Sequence, residues 1–419
     1  MKTSIILQTL FGIMVLIAIT WAMSENRRKV RVRDIVIGLS VQIILALIML
    51  KLPVFKELFQ LLNKAVMTLE EATKAGTSFV FGYLGGGDLP FEAKPYSSSF
   101  VLALQALPLV LVVSALSSLL FYWRILPIIV KAFSWILQKT MGIGGAVGLS
   151  AGANVFLGMV ESPLFIRPYL KDLTRSELFI TMSCGMAGIA GTVMVLYASI
   201  LKTVIPDAMG HILAASIISI PAAIMISQVM IPETGELTSG KLTPPQKATS
   251  SMDAITKGTI EGISLLINII AMLIVLVALV YLANQVLSLL PQIGGQNITL
   301  QRVLGYIMAP IVWLIGIPWS ETQTAGSLMG TKTILNEFIA YLDLAKIPEG
   351  ALSPRSRIIM TYALCGFANF GSLGIMIGGM GSMVPERRDE IVSLGIKSII
   401  AGTLATCMTG AIAGIFLSS

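Results

Sequence analysis

Charge-free stretches near the length of a membrane-spanning helix recur along this chain and leave few folds open. They cover residues 4–23, 35–50, 96–123, 178–201, 208–232, 262–301, 358–385 and 398–419. A helix needs about 20 apolar residues to cross a bilayer. Backbone in lipid must also satisfy its own hydrogen bonds. Only 12% of the 419 residues are charged and 55% are hydrophobic, with mean hydropathy +0.86, against about 25% charged in a soluble domain. The expected class is an all-α polytopic membrane protein with eight spans. The cluster Arg27, Arg28, Lys29, Arg31 and Arg33 follows the first stretch, which reads as a retained anchor rather than a cleaved signal.

Two carboxylates stand where a bilayer penalises them, and their surroundings match. Glu161 lies in Gly158-Met159-Val160-Glu161-Ser162-Pro163-Leu164, and Glu337 in Leu335-Asn336-Glu337-Phe338-Ile339-Ala340-Tyr341. Arg175-Ser176 and then Cys184-Gly185-Met186-Ala187-Gly188 follow the first acid; Arg355-Ser356 and then Cys365-Gly366-Phe367-Ala368-Asn369 follow the second. A charge inside a membrane marks a functional site by default. A repeat that pairs such an acid with a glycine-broken helix is the pattern of a secondary transporter. The bland alternatives are close helix packing by small residues and acids reaching the headgroups.

Basic loops set the topology by the positive-inside rule, with Arg27–Arg33 in the cytoplasm. Residues 52–95 then read as an outer amphipathic helix plus loop, and 124–139 as a helix in the inner interface. The glycine- and proline-interrupted stretch 140–170 starts and ends beside basic residues. It therefore reads as a re-entrant hairpin with its tip at 154–163. Residues 303–342, with Pro310, Pro318, Gly326 and Gly330 around Glu321 and Glu337, read as an opposed outer hairpin. The expected units are 1–139 (three-span scaffold with interfacial helix), 140–232 (first repeat), 233–302 (linker and long span) and 303–419 (second, inverted repeat). The net charge of +7 lies in short loops, which argues against a nucleic-acid partner. Cys184, Cys365 and Cys407 sit in apolar stretches and read as small packing residues, and His211 as a helix-terminal or packed residue.

The strings Pro318-Trp319-Ser320-Glu321, Asn336-Glu337-Phe338-Ile339-Ala340-Tyr341, Cys365-Gly366-Phe367-Ala368-Asn369-Phe370-Gly371-Ser372 and Glu161-Ser162-Pro163-Leu164-Phe165-Ile166-Arg167-Pro168-Tyr169 resemble the concentrative nucleoside transporter family over nearly the whole chain. The resemblance implies a homotrimer in membrane lipid, multi-pass in the bacterial inner membrane. It implies nucleoside uptake by an elevator motion coupled to a cation, and no catalysis. It also assigns roles. Glu337, Asn369 and Ser372 would hold the ribose, Phe367 and Val193 would pack on the base, and Glu161 would lie near it. Asn154, with backbone around Leu157 and Ile189, would hold sodium. Glu321 and Lys332 are candidates for coupling or for a structural pair. Two departures stand out. Met159-Val160 replaces a pair of polar base-facing residues, and Gly188 replaces a serine hydroxyl of the sodium site. Proton coupling through Glu161, Glu321 or Glu337 is the competing reading. An intramembrane enzyme would need a nucleophile–base set that one histidine does not supply, and a passive channel would not need opposed hairpins.

Overall fold

The computed structural model describes residues 2–91, 100–240, 248–292, 295 and 297–416. The start of the expected third span at residue 96, linker residues 241–247 and the chain end at 417–419 lie outside them. Among the described residues the chain is helical, with a single isolated bridge between Glu349 and Leu352. Eighteen helices follow in order: α1 Lys2–Ala22, α2 Val32–Lys51, α3 Pro53–Phe81, α4 Leu102–Gln105, α5 Leu109–Tyr122, α6 Ile125–Met141, α7 Gly145–Ala153, α8 Glu161–Leu164, α9 Arg175–Ala187, α10 Gly191–Leu201, α11 Ala208–Met230, α12 Ser251–Leu287, α13 Leu300–Leu314, α14 Thr322–Ile334, α15 Glu337–Lys346, α16 Pro354–Leu364, α17 Phe370–Met383 and α18 Arg388–Phe416.

Among the described residues seven helical stretches are long and apolar enough to cross a membrane. The remaining expected span, the seventh in order at 358–385, is built from two half-helices, α16 and α17, parted at residues 365–369. The fourth is broken in the same way, α9 giving way to α10 across 188–190. Both first halves open on a hydroxyl cap. Thr174 accepts from the Glu177 backbone N–H while Glu177 reaches back to Thr174 N, a reciprocal capping box. Ser353 accepts from Ser356 N. Glu321 in turn accepts from the Ser353 backbone N–H and hydroxyl, each at 3.2 Å.

The element order of the first half recurs in the second: helix, hairpin, broken helix, long helix. The sets are α6, α7–α8, α9/α10, α11 and then α13, α14–α15, α16/α17, α18. The expected extent of the second hairpin differs. The second hairpin is α14–α15, starting at Thr322 rather than 303. The stretch before it is a separate helix, α13, that carries Pro310 inside it and lies along α14. Its counterpart in the first set is α6.

Packing also divides the N-terminal region. Helix α5 pairs with α12, whereas α1 packs against α18 and α13, and α2 against α11. Helices α9, α11, α16 and α18 carry most of the fully buried apolar side chains. Helix α12 instead leaves Ile260, Ile267, Ile274, Val277 and Leu282 exposed, a face suited to lipid or to another apolar helix. In the loop after α1, Glu25 pairs with Arg175 at 2.9 Å and Lys397 at 2.7 Å. The Arg175 hydrogen bond, first among the causes, holds the Glu25 carboxyl down at about 2, so this tie between loop, α9 and α18 stays charged at any physiological pH.

Candidate functional site

The two broken helices cross at their breaks. The Phe367 backbone N–H donates to the Gly188 carbonyl at 3.1 Å. A Cβ on Gly366 would stand 2.9 Å from the carbonyl oxygens of both Met186 and Ala187, so only glycine lets the two backbones approach this closely. Unwound backbone of this kind is tolerated at membrane depth only where protein or a cavity surrounds it.

At that crossing α17 begins, and Asn369 caps it by accepting from the Ser372 N–H at 2.7 Å. The cap fixes the Asn369 amide with its nitrogen turned outward. That nitrogen donates to Glu337 Oε2 at 2.9 Å. Glu337 opens α15, itself capped by Asn336, so its carboxylate lies at the positive end of a helix. The other oxygen, Oε1, accepts from the Tyr197 hydroxyl at 2.6 Å. Glu337, Asn369 and Tyr197 are all buried. One carboxylate is thus held by a phenol and an amide, in a place where the alternative to pairing is a bare charge.

Tyr197 was not among the residues singled out from the sequence. It stands one turn beyond Val193 on α10, with its ring 5.1 Å from Tyr341 and 6.0 Å from Phe338. A buried phenol ordinarily finds a hydrogen-bond partner, and that was the available signal.

The structure gathers some expected residues and separates others. Val193 is buried on α10, and Phe367 is half-buried in the break. Ser372 lies in the first turn of α17. The tip of the first hairpin sits elsewhere. A Cβ on Gly379 would meet Val160 at 2.6 Å, and Gly379 is ten residues (379 − 369) beyond Asn369 on α17, about 15 Å along the axis. Met159 is buried, its Cβ 2.9 Å from where a Cβ on Gly185 would lie. Neither joins the group around Glu337. Glu161 begins α8 with its carboxylate folded over Gly158.

Asn154 is buried between two oxygens, the Cys184 carbonyl and the Ser162 hydroxyl. Its amide nitrogen donates to the Cys184 carbonyl at 2.5 Å, and its oxygen accepts from the Ser162 hydroxyl at 3.2 Å. Gly188 lies against this amide, for a Cβ there would be 2.5 Å from Asn154 Nδ2. Gly191 N donates to the Phe156 carbonyl, which ties the hairpin tip to the first break. Leu157 turns its side chain to the small cluster of Val130, Ala153 and Phe165, and Ile189 is fully buried. No group of three or more His, Cys, Asp or Glu that could hold a metal occurs among the described residues.

The structural pair Glu321–Lys332 does not form. Glu321 supports the start of α16, as described above. Lys332 is fully buried in the last turn of α14 and donates to the Ala363 carbonyl at 2.9 Å and the Thr406 hydroxyl at 3.0 Å. His211 is a packed helix-terminal residue, its Nδ1 3.0 Å from the Tyr362 hydroxyl. The three cysteines are free and buried.

Comparison with known proteins agrees over the whole chain. A family model described as Na+ dependent nucleoside transporter N-terminus matches residues 11–84, one described as nucleoside recognition matches 103–204, and Na+ dependent nucleoside transporter C-terminus matches 211–414. An uncharacterized transporter of Haemophilus influenzae is 38% identical over 98% of this chain and 98% of its own length. The nucleoside permease NupC of Helicobacter pylori is 34% identical over 97% of this chain and 96% of its own. The solved structure of CNTnw in an inward-facing substrate-bound state superposes with a TM-score of 0.88 at 34% identity, covering 98% of this chain and 99% of that one. The crossed broken helices, the paired hairpins and these likenesses converge on one conclusion: the chain belongs to the concentrative nucleoside transporter family, a family of membrane transporters and not of enzymes.

Proposed function

We propose that this protein is a sodium-driven nucleoside symporter working by an elevator motion, with the sugar held by Glu337, Asn369 and Ser372. The observation that carries the reading is the Glu337 carboxylate, buried at a helix N-terminus between Tyr197 and Asn369. Ribose hydroxyls need charged or neutral acceptors beside groups that also donate, and an acid, an amide and two hydroxyls provide both. Phe367 and Val193 offer apolar surface to a base. Met159 and Val160, packed on glycines of α9 and α17, shape the tip of the first hairpin and offer no side-chain hydrogen bond to a base edge. Glu161 remains a candidate for the base end.

Recognition by the sugar has a direct consequence. Purine and pyrimidine nucleosides are both expected to compete for uptake, and uracil or adenine alone to compete at least tenfold more weakly, since the charged acceptor would find no hydroxyl. Counterflow in proteoliposomes measures this. A free base inhibiting at the same concentration as its nucleoside would overturn the sugar-centred reading.

Packing supports a fixed body built on α5 and α12 and a moving body built on the two repeats, with α1 and α2 carried on the latter. The two repeats would then be inverted, with hairpins entering from opposite faces. The apolar face of α12 is the natural contact for two further copies in a homotrimer, in a bacterial inner membrane.

Sodium is supported by the oxygens around Asn154. With its amide turned over, Asn154 Oδ1, the Cys184 carbonyl and the Ser162 hydroxyl would face one point, the ligand type a hard cation takes. The proton reading draws on the present arrangement, in which the amide nitrogen already satisfies the Cys184 carbonyl. Uptake at fixed pH is expected to rise and saturate with external sodium. Gly188→Ser adds a hydroxyl and displaces the Asn154 amide, so it should lower the half-saturating sodium concentration severalfold. Full uptake in choline buffer that grows as outside pH falls and collapses with a protonophore would replace sodium by protons.

A further inference from the structure

Away from the Glu337 site, a cleft of about 310 Å³ opens where the loop after α1, the start of α2, the α6–α7 junction and the segment 232–237 meet. Four cations line it: Lys29, Arg31, Arg33 and Lys139. None forms a salt bridge among the described residues. Three acids share the cleft, Asp34, Glu177 and Glu233, giving a formal balance of 4 − 3 = +1. Two of them are committed to protein donors. Glu177 accepts from the Thr238 N–H at 2.9 Å, the Thr238 hydroxyl at 2.6 Å and the Thr174 N–H at 3.1 Å. Glu233 accepts from the Thr174 hydroxyl at 2.6 Å and from the N–H groups of Thr234 and Gly235, each at 2.8 Å. Asp34 stands within electrostatic reach of Arg31 and Arg33, and Glu233 borders Lys29 and Arg31.

One helix N-terminus adds to this. Helix α2 begins after Arg31 with no side-chain cap, whereas the start of α7 is met by the Thr238 carbonyl, which accepts from the Ala146 N–H at 3.3 Å. Uncapped N–H groups and the helix dipole attract anions. The residues around the cleft are those of a membrane boundary. Arg31 and Arg33 flank the first residue of a helix long and apolar enough to span, and α6 exposes Trp135 and Ile136 within a turn or so of Lys139, the mix of aromatic, aliphatic and basic side chains that settles at an interface.

We propose that this cleft binds the phosphate of an anionic lipid headgroup from the cytoplasmic leaflet, tying the loop after α1 to the root of the first hairpin. Its placement in that leaflet rests on the topology read from Arg27–Arg33. Its test does not use transport, so failure here leaves the nucleoside reading intact.

The test is lipid retention by the purified full-length protein, read by native mass spectrometry and by thermal shift in phosphatidylcholine nanodiscs doped with phosphatidylglycerol. Retained phosphatidylglycerol and a rise in melting temperature over pure phosphatidylcholine are expected. Lys139→Gln and Arg33→Gln should each weaken retention about fivefold, from the attraction one cation contributes near a charged surface. Lys131→Gln, also on α6 but outside the cleft, should leave it unchanged. Lys139 follows the third expected span, so its variant keeps the charges that orient the N-terminus. Equal retention of phosphatidylcholine would overturn the proposal. So would equal loss in Lys131→Gln, which would indicate general surface attraction. Equal stabilisation by inorganic phosphate or glycerol phosphate would reassign the cleft to a soluble anion.

Discussion

Glu337→Gln is expected to weaken nucleoside binding roughly ten- to a hundredfold while the protein still inserts and folds. The amide keeps the side chain's size but exchanges a charged acceptor for one acceptor and one donor. Its neighbours constrain how it can sit. Asn369 spends its oxygen on the Ser372 N–H, so it can offer only its NH₂ to residue 337 without uncapping α17, a loss of about 1 kcal/mol. The glutamine must therefore turn its carbonyl to Asn369 and its nitrogen to the Tyr197 hydroxyl, which can rotate to accept. Protein contacts survive, and what disappears is the charge offered to a ribose hydroxyl. A hydrogen bond to a charged group is worth about 1.5–3 kcal/mol, which sets the expected range. Isothermal titration in detergent reads the affinity, and size-exclusion chromatography reads the fold. Tyr197→Phe removes a hydrogen bond donated to the same buried carboxylate and should cost about 1.5–3 kcal/mol of stability. Wild-type affinity in Glu337→Gln would remove this residue from the substrate site.

What could be read before the structure depended on how local each feature is. The breaks at 188–190 and 365–369 were legible because glycines and small residues interrupt otherwise apolar stretches, and the helices do part there. The α13 boundary was not. Pro310 reads as a breaker, yet it lies within a 15-residue helix. Without charges, an apolar helix beside a hairpin looks like part of it. Glu321 and Lys332 looked like a pair because both are ionic in an apolar stretch. They stand at opposite ends of α14, eleven residues apart (332 − 321), about 16 Å in a helix, too far for a salt bridge. Tyr197 meets Glu337 across 140 positions, and no local pattern announces a contact of that range. The same holds for Val160, whose neighbour Gly379 is set by how the hairpin rests on α17.

The fully buried ammonium of Lys332 should matter as much as Glu337, for a different reason. Lys332 Nζ sits at the C-terminal end of α16, where the helix breaks and its last carbonyls lose their partners. It supplies a donor to Ala363 and a positive charge to the negative end of the helix. Desolvation dominates the surroundings of both buried groups, and a smaller attraction acts between Lys332 and Glu337 without contact. Lys332→Met keeps most of the stem volume and removes both roles. An orphaned carbonyl costs about 1–3 kcal/mol, and losing the attraction to Glu337 adds to it. A drop of at least about 1–3 kcal/mol in stability is expected, read by thermal or denaturant melts of the purified protein. The double variant Lys332→Met with Glu337→Gln separates the two roles. If charge balance dominates, removing the carboxylate as well should restore more than half of the loss. If capping of α16 dominates, the double variant should be no more stable than Lys332→Met. A single variant as stable as the parent would show that neither role operates and that burying this ammonium gains the fold nothing.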